Sequence, residues 1–392
     1  MIGIPVAIVG AGIGGLTAAL CLAQRGFKVT VYEQASALSE IGAGVHLSPN
    51  GMKVMRALGL ENALEEVAAH PRAISTRDYA SGEPNFEGPL DEAFRERFGA
   101  AFYSFHRADL HAVLTRAAHA SNEISIELNA RASAVTSAEA HVEIAFADGR
   151  SVDTHCAIAA DGVHSAVRES LFGALGTKFT GHVAYRGLVE RSELAEGLVE
   201  DKLNIWVGPG KHVVAYPVRR GELINYVALV EEDGWDDESW TTLADANTLQ
   251  ATFAGWNDTV RTLVGRTLRG QCYKWALLGR DPMPSWSRGN TTLLGDAAHP
   301  MVPYLAQGAV MAIEDAWAVA GCLAGADDCA AAFQRYEDER IQRTTAIQAA
   351  AWEQGRLNHA VGREGDDETF RGGGFAEPAW IYGYDVVDLF PI

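Results

Sequence analysis

Residues 6–33 read VAIVGAGIGGLTAALCLAQRGFKVTVYE, and this stretch decides the fold. The short apolar run before Gly10 is typical of a parallel strand that is buried on both faces. Gly10, Gly12 and Gly15 form the pattern GxGxxG, in which the first glycine permits a tight turn, the second lets a pyrophosphate approach and the third lets a helix pack. The apolar spacing that follows predicts a helix, and the alternation up to Glu33 predicts a second strand. This order of elements predicts a dinucleotide-binding site.

The same stretch indicates how the nucleotide is held. Glu33 ends the second strand, where a carboxylate can accept hydrogen bonds from both hydroxyls of an adenosine ribose. The helix that begins near Gly12 offers backbone N–H groups and its dipole to a pyrophosphate. Taken alone, the motif fits NAD and FAD equally.

Composition narrows the class of protein. The 392 residues are enough for two domains, or for one large α/β domain with an insertion. Lys and Arg total 32 against 51 Asp and Glu, and the net charge of -19 argues against nucleic acid or an anionic membrane as partner. The five cysteines are scattered without a CxxC pair, which is typical of reduced thiols. Because no apolar run could span a bilayer and no signal peptide precedes the first strand, we expect a cytoplasmic protein.

The rest of the chain contains segments with a strand pattern and segments with a helical pattern. Residues 124–160 read as hairpin-like strands with a turn at Asp148–Gly149, and residues 182–231 read as four strands separated by GPG and RRG turns. An antiparallel sheet inserted in an α/β chain is therefore expected. A long amphipathic helix should continue to about residue 356, and the apolar tail at residues 380–390 should dock on the protein.

Three separated motifs together resemble the fingerprints of the single-component FAD-dependent aromatic hydroxylases. They are GAGIGG at 10–15 with Glu33, DGVHSAVR at 161–168 and LLGDAAHPMVP at 293–303. Their order and spacing also match the family, and the resemblance covers nearly the whole chain. It is greatest to the branch of salicylate hydroxylase, 3-hydroxybenzoate 6-hydroxylase and 6-hydroxynicotinate 3-monooxygenase, through GAGVHLSPN, HVVAYPVRRGELINYVALV, YLAQGAVMAIEDA and WIYGYD.

The resemblance implies an α/β fold. A Rossmann-like FAD-binding domain of the GR2 type should carry an inserted antiparallel β-sheet as substrate domain and a long C-terminal helix. The expected boundaries are 1–72, 101–175 and 271–358 for the FAD-binding domain, 73–100 for an excursion towards the substrate domain, 176–270 for the substrate domain itself, and 359–392 for a C-terminal tail.

The resemblance also implies which residues hold the FAD. Arg107 should lie near the pyrophosphate, Asp161 should help to hold the phosphates and take part in NAD(P)H use, and Asp296 should bond the ribityl chain. A glycine at a helix start can also present backbone N–H groups to the pyrimidine edge of the isoalloxazine, where negative charge develops on reduction. The full set is Gly10, Gly12, Gly14, Gly15, Glu33, Gln34, Val45, Arg107, Asp161, Asp296, Gly308 and Ala309. No metal site is expected.

The implied activity is hydroxylation of a phenolic aromatic or heteroaromatic acid by FAD, NAD(P)H and O2 through a flavin C4a-hydroperoxide, with or without decarboxylation. NADH is favoured as donor, a salicylate- or hydroxybenzoate-like acid as substrate, and a monomer or homodimer as assembly. A 6-hydroxynicotinate-type 3-monooxygenase, an FAD-dependent oxidase or dehydrogenase, and a nucleotide-binding protein without turnover are the alternatives. A second GxGxxG with flanking strand and helix is missing from the sequence, and so is a close cysteine pair, which argues against a separate nicotinamide domain and a disulfide reductase.

Electrophilic attack on a ring requires an activated substrate, so a base that converts a phenol to a phenolate is expected. His212 and Tyr216 are the leading candidates, because their spacing puts both on one strand face, about 13 Å apart by rise alone. Both match substrate-contacting positions of the 3-hydroxybenzoate 6-hydroxylase type. His46 resembles a position near substrate or flavin in the hydroxynicotinate branch. Tyr304 stands where the salicylate and hydroxynicotinate types often carry histidine.

Four further polar residues carry weaker signals. His299, in the loop after the GD motif, resembles a family position beside the flavin, and a structural role accounts for it equally well. Arg186, Arg219 and Arg220 are positive charges that a substrate carboxylate could meet. Because exposed arginines in strands and turns are common, we assign these three no role.

Overall fold

The computed structural model describes residues 2–38, 44–137, 141–232, 234, 242–267, 272–360 and 379–392. Within these ranges the strands are β1 (Pro5–Val9), β2 (Lys28–Tyr32), β3 (Gly44–Leu47), β4 (Ala73–Asp78), β5 (Pro84–Pro89), β6 (Tyr103–His106), β7 (Ile124–Glu127), β8 (Ala132–Ser137), β9 (Val142–Phe146), β10 (Ser151–Thr154), β11 (Cys156–Ala159), β12 (Lys178–Glu190), β13 (Leu203–Gly208), β14 (Lys211–Val218), β15 (Leu223–Glu231), β16 (Tyr273–Gly279), β17 (Ser287–Arg288) and β18 (Thr291–Leu293).

The α-helices of the same ranges are α1 (Ile13–Gln24), α2 (Pro49–Ala57), α3 (Glu61–Glu65), α4 (Glu92–Phe98), α5 (Arg107–Ala120), α6 (Ala166–Phe172), α7 (Ala246–Thr252), α8 (Asp258–Gly265), α9 (Gly308–Ala324), α10 (Cys329–Ala360), α11 (Ala379–Tyr382) and α12 (Val386–Leu389). Short 3₁₀ turns lie at Arg191–Glu193, Arg219–Gly221, Gly295–Ala297 and Pro303–Leu305.

One sheet carries the opening motif. Its six strands lie in the order β17-β18-β11-β1-β2-β7, and all neighbours are parallel except β17 and β18. Helices α5 and α9 pack on α1. The apolar side chains of β1 are buried, as expected of a strand in the middle of a parallel sheet. The predicted Rossmann-like arrangement is confirmed.

A second sheet contains seven strands in the order β16-β12-β15-β14-β13-β4-β5. Its neighbours are antiparallel except β13 and β4, which pair in parallel. One face packs against α7 and α8 through an apolar cluster that includes Trp206, Phe253 and Trp256. The opposite face packs against α10 and the turn at Pro303–Leu305. The predicted inserted sheet is confirmed, with one parallel pair that the sequence did not indicate.

Two details of the sequence reading differ from the structure. The strands β7 and β11, which we expected in hairpins, pair in parallel within the six-stranded sheet, while β8, β9 and β10 form a separate antiparallel sheet. The fully buried pattern of Cys156–Ala159 explains the error for β11, since a hairpin strand with one solvated face alternates instead. Strand β7 does alternate, because it lies at the edge of the parallel sheet. Strand β16 joins the seven-stranded sheet, so this sheet extends past the boundary expected at residue 270. Strands β4 and β5, from the expected excursion, belong to it as well.

The C-terminal elements close the structure. Helix α10 spans 32 residues, which confirms the predicted long helix. The tail docks as predicted, since the carbonyl oxygen of Phe390 accepts hydrogen bonds from the Trp317 indole and the Arg25 guanidinium, both at 3.0 Å. Among the helices described, none combines the length and the apolarity that crossing a bilayer requires.

Candidate active site and cofactor cleft

The predicted cofactor residues meet at one edge of the six-stranded sheet. Gly10 follows β1, Glu33 follows β2, Asp161 follows β11 and Asp296 follows β18, and these four strands are parallel neighbours. Because the carboxyl ends of parallel strands lie at one edge of a sheet, the four residues share one cleft, which we call the cofactor cleft.

The glycine turn is shaped by close backbone contacts. Gly10 has φ +100°, and a Cβ atom built there would lie 2.5 Å from the carbonyl oxygen of Ala160. A Cβ at Gly15 would clash with the carbonyl oxygen of Gly10, so any side chain would push α1 away from β1. At Gly12 a built Cβ meets no protein atom within 4 Å. The turn is thus tight on its protein side and open at Gly12, as a pyrophosphate requires.

Gly14 serves the packing of helices. A Cβ there would lie 2.8 Å from the Leu294 side chain and 3.0 Å from that of Ala312. The missing side chain therefore lets α1 approach α9 closely. Contact between Gly14 and the cofactor stays a prediction.

The Glu33 carboxylate is fixed by the backbone. Its two oxygens accept hydrogen bonds from the N–H groups of Ala11 and Ala35, both at 2.8 Å. Each carboxylate oxygen has a second lone pair, so the group can still accept from ribose hydroxyls. Gln34 next to it is exposed.

The second motif is organised around the start of α6. Ser165 caps this helix by accepting a hydrogen bond from the Arg168 N–H at 2.9 Å, and its hydroxyl donates to Asp161 at 2.5 Å. The Arg168 guanidinium donates to the carbonyl oxygens of Val163 and Ala297, at 2.8 and 3.0 Å. Arg168 therefore ties the second motif to the third. Burial raises the pKa of Asp161, and hydrogen bonds from Ser165 and Val167 oppose this.

The third motif forms a loop at residues 295–307, which we call the GD loop. Asp296 is accessible to solvent, yet protein packed around its carboxyl raises the pKa of that group. His299 and Arg107 lower the same pKa, so Arg107 at the start of α5 lies within electrostatic reach of Asp296. An accessible carboxylate enclosed by protein lines a cleft rather than an outer surface.

Helix α9 begins where the GD loop ends. Its first N–H groups, including those of Gly308 and Ala309, have no carbonyl of their own helix to bond, and both residues are only partly buried. Gln307 precedes the helix and donates to the Ser48 hydroxyl at 3.0 Å. Val45, one of the predicted cofactor residues, lies partly buried on β3.

A buried ionic network behind the cleft was not found from the sequence. Arg340 on α10 donates to Glu314 at 2.6 Å and to Asp315 at 2.8 Å, and all three side chains are inaccessible. Asp315 also accepts from the Gly295 N–H at 3.2 Å and contacts His299 Nε2 at 2.6 Å. The sequence did contain a signal for this network, because Glu314 and Asp315 stand within an otherwise apolar helix and Arg340 falls on the apolar side of α10. His299 thus supports the GD loop.

The candidate catalytic residues fall into two groups, of which the first contains His46 and Tyr216. Their rings lie 4.1 Å apart, and His46 Nδ1 is hydrogen-bonded to Ser104 at 2.9 Å. The Tyr216 hydroxyl lies against Gly44, where a Cβ would clash with it, and Asn225 accepts from the Gly44 N–H at 2.8 Å. Burial lowers the pKa of His46 to about 3 and raises the pKa of Tyr216.

The second group surrounds His212, which is 1% exposed. Its Nδ1 lies 2.8 Å from Nε2 of His359, and its ring lies 5.5 Å from that of Tyr304. The Tyr304 hydroxyl is hydrogen-bonded to Nδ1 of His182 at 2.7 Å. Burial, His359 and His182 lower the pKa of His212 well below its usual value, so the ring is neutral near pH 7. Burial raises the pKa of Tyr304.

Strand register explains how Tyr216 of the first group and His212 and His182 of the second reach one surface. His212 pairs with Leu229 and Tyr216 with Asn225, while His182 pairs with Glu231. Directly paired side chains share a face, and so do residues two or four apart on one strand. We call this surface the histidine face of the seven-stranded sheet. It is the face on which Tyr304 of the GD loop packs.

Arg186 corrects one expectation. We expected an ordinary exposed arginine, but the side chain is 5% exposed and belongs to the histidine face, two residues along β12 from Ala184. Its guanidinium lies 5.2 Å from the Trp275 ring and 5.5 Å from the Tyr273 ring. Its charge also lowers the pKa of Tyr216. Arg219 instead donates to Asp109, and Arg220 is exposed beside Glu222.

The chain is similar to known proteins over nearly its whole length. A family model described as FAD binding domain matches residues 3–351. The chain is 40% identical over 386 residues to a 6-hydroxynicotinate 3-monooxygenase of Bordetella bronchiseptica, covering 97% of this chain and 95% of the relative. It is 38% identical over 391 residues to a 3-amino-4-hydroxybenzoate 2-monooxygenase of Streptomyces platensis, covering 98% and 97%. The crystal structure of CtdE with FAD and a substrate matches with a TM-score of 0.88 at 29% identity, covering 98% of this chain and 96% of CtdE.

Proposed function

The chain belongs to the FAD-binding family of flavoprotein aromatic monooxygenases, and from this premise we propose that it hydroxylates a phenolic aromatic or heteroaromatic acid. One oxygen atom of O2 enters the ring, the other leaves as water, and NAD(P)H supplies two electrons. We propose NADH as the favoured donor and a salicylate- or hydroxybenzoate-like acid as the substrate. A 6-hydroxynicotinate-type 3-hydroxylation is the alternative.

The histidine face is the observation that carries this proposal. A neutral imidazole, a phenol and a guanidinium, all buried, share this surface, and the buried phenol of Tyr304 on the GD loop packs against it. An acid site needs a cation for the carboxylate, and a phenol site needs a proton acceptor. This surface offers both within a water-poor environment.

FAD is the cofactor, and when bound it accepts hydride from NAD(P)H and activates O2. In this proposal the residues of the cofactor cleft hold it, with Glu33 at the ribose, the open backbone at Gly12 at the pyrophosphate, and Asp161 and Asp296 further along. The N–H groups at the start of α9 would hold the isoalloxazine end of the cofactor, where the helix dipole would stabilise added negative charge.

His212 is the proposed base. Its Nδ1 faces His359, which leaves Nε2 to accept the phenolic proton of the substrate. Because burial and neighbouring histidines lower its pKa, the ring is already unprotonated at neutral pH. Removing the phenolic proton increases electron density on the ring and favours electrophilic attack.

Arg186 and Tyr216 are proposed to orient the substrate. A buried guanidinium can hold a carboxylate by charge-assisted hydrogen bonds. Tyr216 stays protonated because burial raises its pKa, so its hydroxyl can donate to the substrate. His46, in contact with the Tyr216 ring, completes this side of the proposed pocket.

A substrate panel tests the function. Oxidation of NADH and of NADPH would be followed with salicylate, 3-hydroxybenzoate, 6-hydroxynicotinate and 3-amino-4-hydroxybenzoate, with product mass and peroxide measured alongside. We expect one acid to give a product that carries one additional oxygen, or a hydroxyl in place of its carboxylate, with less peroxide than NADH consumed. Peroxide equal to the NADH consumed for every acid would contradict the proposal. An oxidase would show no acid-stimulated NADH oxidation.

Two variants assign the roles. His212→Asn should lower kcat by about 10²- to 10⁴-fold while leaving FAD affinity unchanged, because only proton transfer is lost. Arg186→Gln should raise KM for the acid by about tenfold or more, since a charge-assisted hydrogen bond is lost. The amide of the same acid should be affected much less by Arg186→Gln. His119→Asn, at an exposed position on α5, is the matched control for His212.

Two further properties belong to the proposal. A cytoplasmic location is supported by the five cysteines, which all lie within the described residues, are buried and form no disulfide. The assembly is proposed to be a monomer or a homodimer, which light scattering of the FAD-loaded protein distinguishes.

A further inference from the structure

Three side chains to which the proposed function gives no contact with the substrate meet at one end of the histidine face. His182 and Glu231 are directly paired between β12 and β15, and His359 lies near the end of α10. One potential ligand atom from each lies within 4.8 Å of the other two. Around a tetrahedral zinc ion, neighbouring ligand atoms lie about 3.4 Å apart, so small side-chain rotations bring the three to ligand distance.

The surroundings of the two histidines match those of metal ligands. A histidine that binds a metal through one ring nitrogen usually has a hydrogen-bond partner on the other, which fixes the ring orientation. His182 Nδ1 faces the Tyr304 hydroxyl at 2.7 Å, and His359 Nε2 faces His212 Nδ1 at 2.8 Å. His359 Nδ1, in turn, lies 3.4 Å from the Glu231 carboxylate. Both rings are therefore oriented from outside the cluster.

We propose that His182, Glu231 and His359 form a binding site for one divalent transition metal ion of the zinc type. Two imidazoles and one carboxylate suit zinc, whereas calcium and magnesium prefer ligand sets made of oxygen. Glu231 lies at the exposed edge of the cluster, so the ion can enter from solvent and keep water in its fourth position. The sequence did not indicate this site, because its ligands are separated by 49 and 128 residues and form no motif.

Metal binding would act on the proposed base through a shift of two protons. With His212 Nδ1–H donating to His359 Nε2, the His212 Nε2 is free to accept a phenolic proton. Coordination through His359 Nδ1 moves the proton of that ring to Nε2, which then donates to His212 Nδ1. His212 must then carry its own proton on Nε2, where it can no longer act as a base. The protons balance, and the metal inhibits turnover without displacing FAD.

The binding test uses FAD-loaded protein freed of metal with a chelator and then dialysed against ZnCl2. We expect one zinc per chain by elemental analysis, and a dissociation constant at least tenfold higher for Glu231→Gln and for His182→Asn. Glu190→Gln, an exposed carboxylate at the other end of β12, is the matched control and should bind zinc as the parent does. MgCl2 in excess should not displace the zinc.

Failure to bind stoichiometric zinc would overturn the proposal, and so would parental affinity in both ligand variants. Flavin content and thermal unfolding check that each variant is folded. Since Glu231 is exposed, Glu231→Gln still decides the matter if His182→Asn is unstable.

The effect on turnover rests on the proposed function, whereas zinc binding does not. We expect zinc to lower acid-stimulated turnover at least tenfold in the parent, and the ratio with and without zinc to approach one in Glu231→Gln. Zinc bound to a protein that hydroxylates no acid would leave the site intact and reject only the proposed function. Full turnover of a zinc-saturated parent would overturn the proposed inhibition.

Discussion

The two sheets carry their chemistry in different ways. In the six-stranded sheet, the cofactor cleft is built mainly from backbone, with glycines that exclude side chains and acids held by N–H groups. In the seven-stranded sheet, the histidine face is built from side chains of β12, β14 and β15, completed by the GD loop and α10. The residues of the cofactor cleft are placed by local sequence motifs, whereas the residues of the histidine face are placed by the pairing register of the strands.

This difference separates two kinds of sensitivity. In the cofactor cleft, which is built mainly from backbone, the tight glycine positions tolerate no added Cβ atom. The carboxylates of the cleft depend instead on neighbouring residues that orient them. The histidine face tolerates the exchange of one side chain better than a shift in strand pairing. A slip of one residue would turn every side chain of the strand to the other face. Substitutions in the first region should therefore affect FAD affinity, together with folding at the tight positions, and substitutions in the second region should affect turnover.

The largest effect is expected where the regions are joined. Arg340 on α10 pairs with Glu314 and Asp315 on α9, and Asp315 in turn accepts a hydrogen bond from the Gly295 N–H at the start of the GD loop. Arg340→Met leaves the buried Asp315 without a guanidinium partner and leaves Glu314 with Arg343 alone, so the free energy of unfolding should fall by about 3–5 kcal/mol. Denaturant unfolding with saturating FAD measures this loss.

Helix α10 offers a matched control for that experiment. Arg356 forms an exposed pair with Glu353 one turn away on the same helix. Arg356→Met should leave the unfolding transition where the parent has it, because exposed pairs contribute little. Equal stability of Arg340→Met and the parent would show that the buried network does not join the two regions.

Substitutions in the glycine turn should have the second largest effect, and two of them distinguish loss of stability from loss of FAD affinity. Gly15→Ala places a Cβ against the carbonyl oxygen of Gly10, so it should cost about 1–3 kcal/mol of stability and most FAD binding. Gly12→Ala meets no protein atom within 4 Å, so the protein should fold as the parent does while FAD affinity falls about tenfold or more. Flavin fluorescence titration and thermal unfolding give the two readouts.

Gly265→Ala is the control for both glycine variants, since this exposed residue ends α8 and a Cβ there also meets open space. It should leave FAD affinity unchanged and should not lower the stability, because alanine is the better helix former. Parental FAD affinity in Gly12→Ala would show that the open side of the turn does not face the pyrophosphate.

The same contrast explains how far the sequence could predict the molecule. The three motifs sufficed for the family, the cofactor and the two-sheet fold, and these predictions are confirmed, because motif residues act within a few positions of one another. The burial of Arg186 was missed because Trp275, which contacts its guanidinium, lies on β16, a strand distant in sequence that pairs with β12. The cluster of His182, Glu231 and His359 was missed for the same reason. Roles of single cleft and face residues stay predictions.

A smaller effect is expected from acidification at His46, which lies on β3 and contacts Tyr216 of the histidine face. Burial lowers the pKa of His46 to about 3, so the folded protein keeps this ring neutral while the unfolded chain takes up a proton below about pH 6.5. The contribution of neutral His46 to the free energy of unfolding is fully present above about pH 6.5 and is lost as the pH falls towards about 3. At pH 5 the loss amounts to about 2 kcal/mol.

His46→Asn isolates this titration, since the amide can replace Nδ1 in the bond to Ser104. Between pH 8 and pH 5, the parent should lose about 2 kcal/mol more than the variant in denaturant unfolding. His119→Asn, at an exposed histidine, should follow the parent. Identical pH profiles of the parent and His46→Asn would mean that His46 is not neutral in the folded protein.

The smallest effect concerns a cap that serves the cofactor cleft. Ser165 caps α6 and also donates to Asp161, whereas Asp91 caps α4 by accepting from the Phe94 N–H at 3.0 Å, outside the cleft. Ser165→Ala and Asp91→Ala should each cost about 1 kcal/mol of stability, because each removes one helix cap. Only Ser165→Ala should also weaken FAD binding, by a few-fold, since Asp161 loses the hydroxyl that orients it. If both variants weakened FAD equally, orientation of Asp161 would not contribute to affinity, and the link between local capping and cofactor binding would fail.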